Sequence, residues 1–512
     1  MLSESSSSVT ESSRPSGTDA PGPEEAGPAG TCPSEVYLKL KERASVCAAE
    51  IRKYRGVRLI SHIDADGITS AAIMRLAFER AGIPCEASYI RKLDEPVMAQ
   101  LLKEREEDPS RNEDILLFTD LGSAMADYLV DHRLTAVVAD HHQPSGRPEN
   151  ISGDSSTFPF HLNPHLFGAN GSYEISGSGV SYILASALIG EKARDLASLA
   201  IVGAVGDMQN RKYGKFVSVN REILEEGVAA GVLGYGPDLG LFGKQTRPVY
   251  RILQYSSEPY LPGLTGDEEA CIRFLEKTNI AYNKEEGARL WIELSVDEKR
   301  KLITALISYC LEKKFPSRKA ESIVRECYTL LREKQGTEMR DASEFATLLN
   351  ATGRYDCADI GVSVCMGDRC EAYDRACTLL SEHRKNLVNG LNFVKEHGVE
   401  QMQNIQYFYS GSEIKETIVG IIAGMSSSLE SVDRRKPIFG LADAEDGIKV
   451  SGRGTQDLIR RGLNLSRAMT EVSEACGGVG GGHDIAAGAT VPKENMEKFL
   501  KIMDLYIGMQ MK

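Results

Sequence analysis

The sequence contains no C-x-x-C pair, although eleven of its 512 residues are cysteines. An odd number of scattered thiols is typical of a reducing compartment rather than of a disulfide framework. The densest cluster lacks the short paired spacing of a zinc site, so we expect packing and surface roles for Cys357, Cys365, Cys370 and Cys377. Also missing are the apolar core of a signal peptide and any run of the roughly 20 apolar residues that a membrane span needs. These absences predict a soluble, cytoplasmic protein with no membrane partner.

An excess of positive charge is absent as well, since the formal net charge is −13. A generic nucleic-acid coat protein would carry a strongly basic domain, and this composition argues against one. It does not argue against an enzyme that holds a few phosphates. Part of the acidic excess belongs to a candidate metal site, whose effective charge inverts when cations bind.

The length exceeds what one hydrophobic core usually organises, so we expect two or three domains. Composition and hydrophobic patterns divide the chain into a disordered tail (1–33), a segment of alternating apolar strands and helical patterns (34–210), a mainly helical insertion or connector (211–335) and a smaller C-terminal α/β portion (336–512). The last helix of the insertion is predicted for residues 318–334. The expected fold class is α/β, with a parallel sheet in the second segment.

Three apolar stretches in that segment each stop on an acid. They are VRLISHIDADG with Asp64 and Asp66, ILLFTD with Asp120, and LTAVVADHH with Asp140, His141 and His142. Because the carboxyl ends of parallel strands meet at one edge of a sheet, we expect these side chains to converge. Carboxylates at 4 Å repel one another by on the order of 4 kcal/mol per pair, and the stretches carry only Arg58, near the start of the first one, to offset that. The sequence therefore predicts a pair of divalent cations. Oxygen ligands mixed with imidazole suit Mn²⁺ or Mg²⁺, and thiolates that would favour zinc are missing.

Each motif alone has an ordinary structural explanation. A single D-x-D is commonly a solvated turn, and a single histidine at a strand end is more often structural than a ligand. Acids after three successive strands, the third followed by two histidines, favour the metal site over those alternatives. His62 and Asp64 are two residues apart on a strand and share a face, so His62 can point into the same crevice.

The combination of SHIDADG, FTDLGS, VADHHQP, HLNPH, the acid of VGAVGDMQN and the distal CGGVGGGHDIAAGA resembles the DHH phosphoesterase family, which is named for its Asp-His-His triplet. Within it, the chain is most similar to RecJ-like single-strand exonucleases. The stretch EMRDASEFATLLNATGRYDCADIGVSVCMGD resembles the archaeal branch that includes the GINS-associated nuclease. The resemblance covers roughly residues 50 to 510. It implies a parallel-sheet metal domain that faces a C-terminal DHH-associated domain across a groove.

The resemblance also implies a role for each residue of the metal site. One metal would be held by His62, Asp64 and Asp120, and the second by Asp66, Asp120, His141 and Asp207, with Asp120 bridging. Related pyrophosphatases place their first histidine four residues before the first acid, whereas His62 stands two before Asp64. A core or supporting role is therefore the alternative for His62.

The remaining residues of the triplet have different implied roles. His142 would lie beside the metals and contact the phosphate, and it forms the expected catalytic set with Asp120 and His141. Asp140 would orient His141 rather than bind a metal directly.

The C-terminal glycine cluster predicts a second kind of site. Successive glycines let backbone N–H groups approach an anion, and a following histidine adds a donor. The resemblance implies that Gly480, Gly481, Gly482 and His483 contact the nucleic-acid backbone and that Ser451 and Arg453 form a terminal-phosphate clamp. The alternatives are a flexible glycine loop and a solvated surface arginine.

The expected function is hydrolysis of single-stranded DNA or RNA from an end by a water molecule that two Mn²⁺ or Mg²⁺ ions activate. The sequence fixes neither the nucleic acid nor the direction of digestion. One alternative is a phosphodiesterase for short oligoribonucleotides or cyclic dinucleotides. The other is a GINS-binding replication scaffold, but every expected metal ligand is present in the chain.

Overall fold

The structure is a computed structural model that describes residues 33–151, 158–256, 259–427, 429 and 431–511. The tail predicted for residues 1–33 lies outside the described residues, apart from Pro33, at which the first helix begins. None of the helices in the described part of the chain is long and apolar enough to cross a membrane.

The first unit is built on a five-stranded parallel sheet. Its strands in chain order are β1 (Gly56–His62), β2 (Cys85–Ile90), β3 (Asp114–Thr119), β4 (Ala136–Ala139) and β5 (His161–Leu162). They lie side by side in the order β2-β1-β3-β4-β5. Thr119, the last residue of β3, pairs with Ser61 on one side and with Ala139 on the other. The loops that carry the conspicuous acids therefore leave the sheet at the same edge.

In the described part of the chain, the following α-helices accompany this sheet. They are α1 (Pro33–Ile51), α2 (Ala65–Ala81), α3 (Glu95–Glu107), α4 (Ala126–Asp131), α5 (Pro148–Ile151), α6 (Gly177–Ile189), α7 (Ala197–Gly206) and α8 (Ser218–Ala229). One face of the sheet shares a core with α1, α2, α6 and α7, while α3 and α4 cover the other face. Helices α6 and α7 are apolar nearly all round because both pack within the core, against α2.

The insertion has a core of its own, formed by buried residues between Leu239 and Ile323 that include Trp291, the single tryptophan of the chain. Its elements are β6 (Leu233–Leu239), α9 (Val249–Gln254), α10 (Glu268–Lys277), β7 (Asn283–Lys284), β8 (Gly287–Ala288), α11 (Val296–Glu312), α12 (Ser317–Glu321) and β9 (Val324–Leu330).

The helix predicted for residues 318–334 is wrong over most of its length. The helix α12 ends at Glu321, and Val324–Leu330 form the strand β9, which pairs with β6 in antiparallel register. Glutamate, arginine and leucine favour helix in isolation. Here the strand ladder and the burial of Tyr328 and Leu330 outweigh that local preference.

The next three helices are α13 (Ala342–Arg354), α14 (Ala358–Cys365) and α15 (Glu371–His397). Buried residues from Met339 to Leu380 belong to the same core as α2 and α7. The boundary predicted at residue 336 therefore does not separate two cores, because the C-terminal unit has its own core only after the middle of α15.

The C-terminal unit is a six-stranded mixed sheet with helices on both faces. Its elements are β10 (Glu400–Gln401), β11 (Gln406–Tyr409), α16 (Glu416–Ser426), β12 (Ile438–Ala444), β13 (Gly447–Arg453), α17 (Gln456–Arg460), α18 (Leu465–Ala475), β14 (Val479–Gly482), β15 (Ala486–Val491) and α19 (Met496–Gln510). The strand order is β10-β11-β12-β13-β15-β14; β11 and β12 pair in parallel, and the other neighbouring pairs of the described strands are antiparallel. The predicted α/β class is confirmed, with a parallel sheet, a mainly helical insertion and a second α/β unit.

Substituting Gly353 tests the support that α13 gives to the loop after β1. A Cβ on Gly353 would overlap the carbonyl oxygen of Ile63, whereas one on Gly236 would meet nothing within 4 Å. We expect Gly353→Ala to destabilise the protein by about 1–3 kcal/mol through overpacking, and Gly236→Ala to be nearly neutral. Thermal unfolding followed by circular dichroism compares the two variants. Equal midpoints would contradict the close approach of α13 to this loop.

Candidate metal centre

Asp64 and Asp66 stand where β1 gives way to α2. Asp64 caps α2, because its Oδ1 accepts a hydrogen bond from the backbone N–H of Gly67 at 3.0 Å. Asp66 lies in the first helical turn and is buried. Its carboxylate accepts hydrogen bonds from the backbone N–H groups of Gly177 (2.7 Å) and Ser178 (3.0 Å). The amino end of α6 therefore stabilises the charge of Asp66.

Asp120 follows β3 in a left-handed backbone conformation, with φ 59°. Its backbone N–H donates to the carbonyl of Ala139 at 3.0 Å, which extends the sheet by one residue, and its side chain is only 2% exposed. A Cβ on Gly177 would lie 2.5 Å from Asp120 Oδ1, so only glycine fits beside this carboxylate. Gly177 was missed in the sequence, where SGSGV ahead of an apolar run could have drawn attention to it.

Asp140 organises the loop that carries the two histidines. Its Oδ1 accepts from the backbone N–H of His141 (2.7 Å) and from the ring Nδ1 of His142 (2.8 Å), and its Oδ2 accepts from the backbone N–H of Ser123 (2.9 Å). We expected Asp140 to orient His141. Among the described contacts it holds the ring of His142 instead, because His141 Nδ1 donates to the carbonyl of Gly171 at 2.7 Å.

The HLNPH segment supports the same loop from outside. Asn163 Nδ2 donates to the carbonyl of His142 at 2.8 Å and to the hydroxyl of Ser123 at 2.7 Å. His161 Nε2 lies 2.9 Å from the same hydroxyl. This part of the motif therefore fixes the backbone of the histidine loop.

Asp207 enters from the end of α7 and is held by Gln209. The two N–H groups of Gln209 Nε2 are shared among three acceptors, Asp207 Oδ2 at 2.9 Å and the carbonyl oxygens of Gly171 (2.7 Å) and Ile175 (3.1 Å). The same carbonyl of Gly171 accepts from His141, so Asp207 and His141 share a single rigid support.

The structure brings all six predicted ligands together. Their donor atoms fall into groups within 4.8 Å of one another, one formed by His62, Asp64 and Asp120 and another by Asp66, His141 and Asp207. His141 Nε2 lies 3.2 Å from Asp120 Oδ1 and 3.7 Å from Asp66 Oδ2, which joins the two groups. A third group contains Asp120, Asp140, His141 and His142.

The crowding of carboxylates appears in their pKa values. Burial first, and then the charge of Asp120, raises the pKa of Asp66 to about 8. Burial also raises the pKa of Asp207. Burial opposes the charged form of His62, but Asp64 and Asp120 outweigh it and raise the pKa of His62 to about 11. Although partial desolvation opposes its charge, Asp64 has a pKa below its usual range because His62 lies beside it.

The two histidines of the triplet are also shifted toward the cationic form. Desolvation opposes the charge of both rings, yet the hydrogen bond to Asp140 raises the pKa of the largely exposed His142 to about 9, and contact with Asp120 raises the pKa of the buried His141 well above its usual value. Asp140 has a pKa below its usual range, because its hydrogen bond to His142 outweighs burial.

The donor set fits divalent cations. Asp120 Oδ1 and His62 Nδ1 are buried, and neither has a hydrogen-bond partner of acceptable geometry in the described part of the chain. His62 Nδ1 nevertheless lies 3.1 Å from Asp64 Oδ2 and 3.5 Å from Asp120 Oδ2. Because His141 commits Nδ1 to a carbonyl, its Nε2 is directed at the carboxylates, as in metal-binding histidines. Carboxylate oxygens with imidazole suit Mn²⁺ or Mg²⁺.

A cleft of about 300 Å³ lies beside this centre, between the first and the C-terminal units. Ser451 and Arg453 line it, together with Ile63 from the loop between His62 and Asp64. The cleft contains cations that the sequence did not single out, namely Arg91, Arg354 and Lys449. Burial, and then Arg354, lowers the pKa of Arg453.

The glycine strand β14 has packing reasons for most of its glycines. A Cβ on Gly480 would lie 2.5 Å from the carbonyl oxygen of Met469 on α18, and Gly482 has φ 139°. Gly481 differs, because its Cβ would meet only the hydroxyl of Thr470 at 4.0 Å. His483 is exposed in the turn before β15, where its backbone pairs with Ala486. Of the four predicted residues, Gly481 and His483 have no such packing explanation.

Comparison with known proteins adds two family models. The DHH-CID domain model matches residues 241–324, and the DHHA1 domain model matches residues 403–509. A full-length relative, the uncharacterized protein MJ0831 of Methanocaldococcus jannaschii, is 34% identical over 478 residues, which is 93% of this chain and 99% of the relative.

Solved structures share the fold at low sequence identity. RecJ from Thermus thermophilus in complex with Mn²⁺ has a TM-score of 0.55 at 16% identity, covering 92% of this chain and 55% of RecJ, so the chain spans about half of that protein. A second structure, exonuclease RecJ bound to manganese, has a TM-score of 0.53 at 16% identity, and the match covers 92% of this chain and 94% of that protein. CDC45 from Entamoeba histolytica has a TM-score of 0.61 at 14% identity, and the match covers 93% of this chain and 98% of CDC45.

The chain belongs to the DHH/RecJ-like superfamily. The resemblance inferred from the sequence motifs is confirmed at this level, and members of the superfamily are typically phosphoesterases or nucleases.

Metal binding should depend on pH. With a pKa raised to about 8, Asp66 is mostly protonated at pH 7 in the metal-free protein, so a cation must displace its proton. We expect the affinity for Mn²⁺ to fall as the pH is lowered from 8 to 6, by about tenfold per pH unit for each displaced proton. Calorimetry at pH 6, 7 and 8 measures this, and titrations in two buffers count the protons released. An affinity that does not change over this range would contradict the assignment.

Proposed function

We propose that the chain is a metal-dependent phosphodiesterase that hydrolyses single-stranded nucleic acid from an end, as a RecJ-like exonuclease does. The observation that carries the proposal is the approach of carboxylate and imidazole donors within 4.8 Å in overlapping groups. The cation-lined cleft beside these donors provides a complementary site for phosphates.

In this proposal two Mn²⁺ or Mg²⁺ ions bind at the centre. His62, Asp64 and Asp120 would hold one, and Asp66, Asp120, His141 and Asp207 would hold the other. The ions would lower the pKa of a water molecule and neutralise charge on the phosphodiester. Asp120 presents its two carboxylate oxygens to different neighbours, since Oδ1 lies 3.2 Å from His141 and Oδ2 lies 3.5 Å from His62. That geometry supports a bridging role.

His142 serves the substrate in this scheme. Its Nδ1 is engaged by Asp140, and its side chain is 60% exposed, so Nε2 is the nitrogen left to reach a phosphate oxygen. The raised pKa of His142 keeps the ring cationic near neutral pH. Asp140 and Asn163 act through His142 and its loop as positioning residues.

Ser451 and Arg453 would clamp the terminal phosphate in the cleft, with Arg354 and Lys449 adding positive charge. Gly481 and His483 would contact the nucleic-acid backbone farther along the strand.

The two alternative functions inferred from the sequence need different parts of this site. A dinucleotide would fill only the cleft, and a GINS-binding scaffold would not need buried, hydrogen-bonded carboxylates at the sheet edge. Binding to a GINS complex stays a prediction, which co-purification tests.

Removing the shared carboxylate should abolish cleavage. Asp120→Asn takes away a ligand of both metals and relieves repulsion, so we expect a loss on the order of 10³-fold or more with a folded protein. End-labelled single-stranded DNA and RNA with Mn²⁺ reveal the activity, the preferred nucleic acid and the direction of digestion. Asp195→Asn is the matched control, since Asp195 pairs with Arg80 at the surface. Wild-type protein that leaves both strands intact, or near-normal turnover by Asp120→Asn, refutes the proposal.

The clamp makes a separate prediction. Arg453→Ala should raise KM by about 10- to 150-fold with little change in kcat, because a lost charged hydrogen bond weakens binding by about 1.5–3 kcal/mol. Comparing two-unit with thirty-unit substrates separates the exonuclease from a small-substrate phosphodiesterase. A fall in kcat at constant KM would argue against a binding role for Arg453.

A further inference from the structure

The loop that follows Asp207, one of the predicted metal ligands, exposes large side chains. Met208 has φ 59° and is 52% exposed, and Tyr213 is 50% exposed. A left-handed backbone is costly for methionine and persists where surrounding structure enforces it. Gln209 enforces this conformation of Met208, because the Gln209 side chain is fully buried and is hydrogen-bonded to Asp207, Gly171 and Ile175. The loop therefore presents its apolar groups to solvent from a rigid base.

Tyr173, Lys212 and Tyr213 form what we call the tyrosine cluster. The rings of Tyr173 and Tyr213 meet edge to face, with centroids 5.8 Å apart and an interplanar angle of 71°. Lys212 Nζ lies 3.5 Å from the centroid of Tyr173 and 5.2 Å from that of Tyr213. Tyr173 is two residues beyond Gly171, whose carbonyl oxygen accepts the hydrogen bond from His141. The cluster thus shares its support with the metal centre.

The same loop opens into a second cleft, of about 290 Å³, between the first unit and the insertion. Its lining begins at Val205 and Asn210, on either side of Asp207 in the sequence, and includes Tyr255 from the insertion. The cleft with Arg453 borders Ile63 instead. The two clefts therefore adjoin different ligand-bearing loops of one centre.

The charges of the second cleft suit a polyanion. Its carboxylates are engaged within the protein, Glu326 by Arg221 at 2.8 Å and Asp341 by Lys244 at 3.3 Å. Arg211 and Arg325 also line the cleft, and the exposed Lys212 and Lys215 flank Tyr213. Aromatic rings set among cations bind single strands, because each base stacks on a ring while the cations hold the backbone.

We propose that the tyrosine cluster stacks a base of the single strand on the side of the metal centre away from Arg453, and that the strand continues into the cleft with the insertion. This rests on the proposed function, because it assumes a single strand at the centre. It identifies the substrate as a strand held on both sides of the reacting phosphate. It also gives the insertion a part in binding the substrate.

Binding of a 20-nucleotide single strand tests the proposal. Fluorescence anisotropy is measured with full-length Asp120→Asn protein and Mn²⁺, with and without a second change. We expect Tyr213→Ala to weaken binding about five- to 150-fold, and Tyr213→Phe to stay within about twofold of its parent, because stacking needs the ring and not the hydroxyl. Tyr235→Ala is the matched control, since Tyr235 is 41% exposed, carries Arg221 4.8 Å from its ring centroid and lies on β6 rather than on the loop after Asp207.

A strand with 2-aminopurine at successive positions locates the contact. We expect one position whose fluorescence is quenched by the protein, with the quenching lost in Tyr213→Ala and kept in Tyr213→Phe. Equal affinities for Tyr213→Ala and its parent, or quenching that survives Tyr213→Ala, overturn the inference. If the wild type cleaves the strand but Tyr213→Ala binds it as tightly as its parent, this inference is wrong and the proposed hydrolysis stands. If Tyr213 quenches 2-aminopurine but the wild type does not cleave the strand, the proposed hydrolysis is wrong and this inference stands. Absence of any strand binding defeats both.

Discussion

The structure depends on keeping several carboxylates together at one edge of a parallel sheet. Asp66, Asp120 and Asp140 are almost fully buried there, and each repels the others. The protein offsets this repulsion differently at each position. Helix α6 directs two N–H groups at Asp66, and the Asp140 carboxylate accepts from Ser123 and His142. Asp120 Oδ1 has no hydrogen bond of acceptable geometry in the described chain, although His141 Nε2 lies 3.2 Å away, and this oxygen marks where a cation is needed.

Much of the surrounding packing follows from that need. Helix α6 approaches Asp120 so closely that Gly177 has no room for a side chain. A Cβ on Gly203 of α7 would likewise overlap the carboxylate of Asp66. On the opposite side, Asn350 of α13 accepts from the backbone N–H of Ala65 at 3.0 Å. Segments from distant parts of the chain therefore brace the loops that carry the acids. This explains why α13 packs with the first unit although it follows the insertion in the sequence.

The sequence was sufficient for features that follow from local patterns. Acids after apolar strands converge because parallel strands end at one edge, and the α/β class follows from alternating strands and helices. It was insufficient where distant segments decide the outcome. Gly177, Arg354 and Lys449 reach the centre or its cleft through tertiary packing, and the pairing of β9 with β6 overrides a helix-favouring segment. The histidine ring that Asp140 holds was also predicted wrongly. The carbonyl of Gly171, 30 residues after His141 in the sequence, accepts the hydrogen bond of the His141 ring.

Anomalous diffraction from crystals soaked in Mn²⁺ above pH 8 tests the central claim most directly. The account predicts two manganese peaks between β1, β3 and α7, one near His62 and Asp64 and the other near Asp66 and Asp207, with Asp120 touching both. It also predicts that Asp120→Asn crystals lose at least one peak. Crystals that take up manganese elsewhere, or leave these carboxylates without any metal at saturating concentration, would contradict the account.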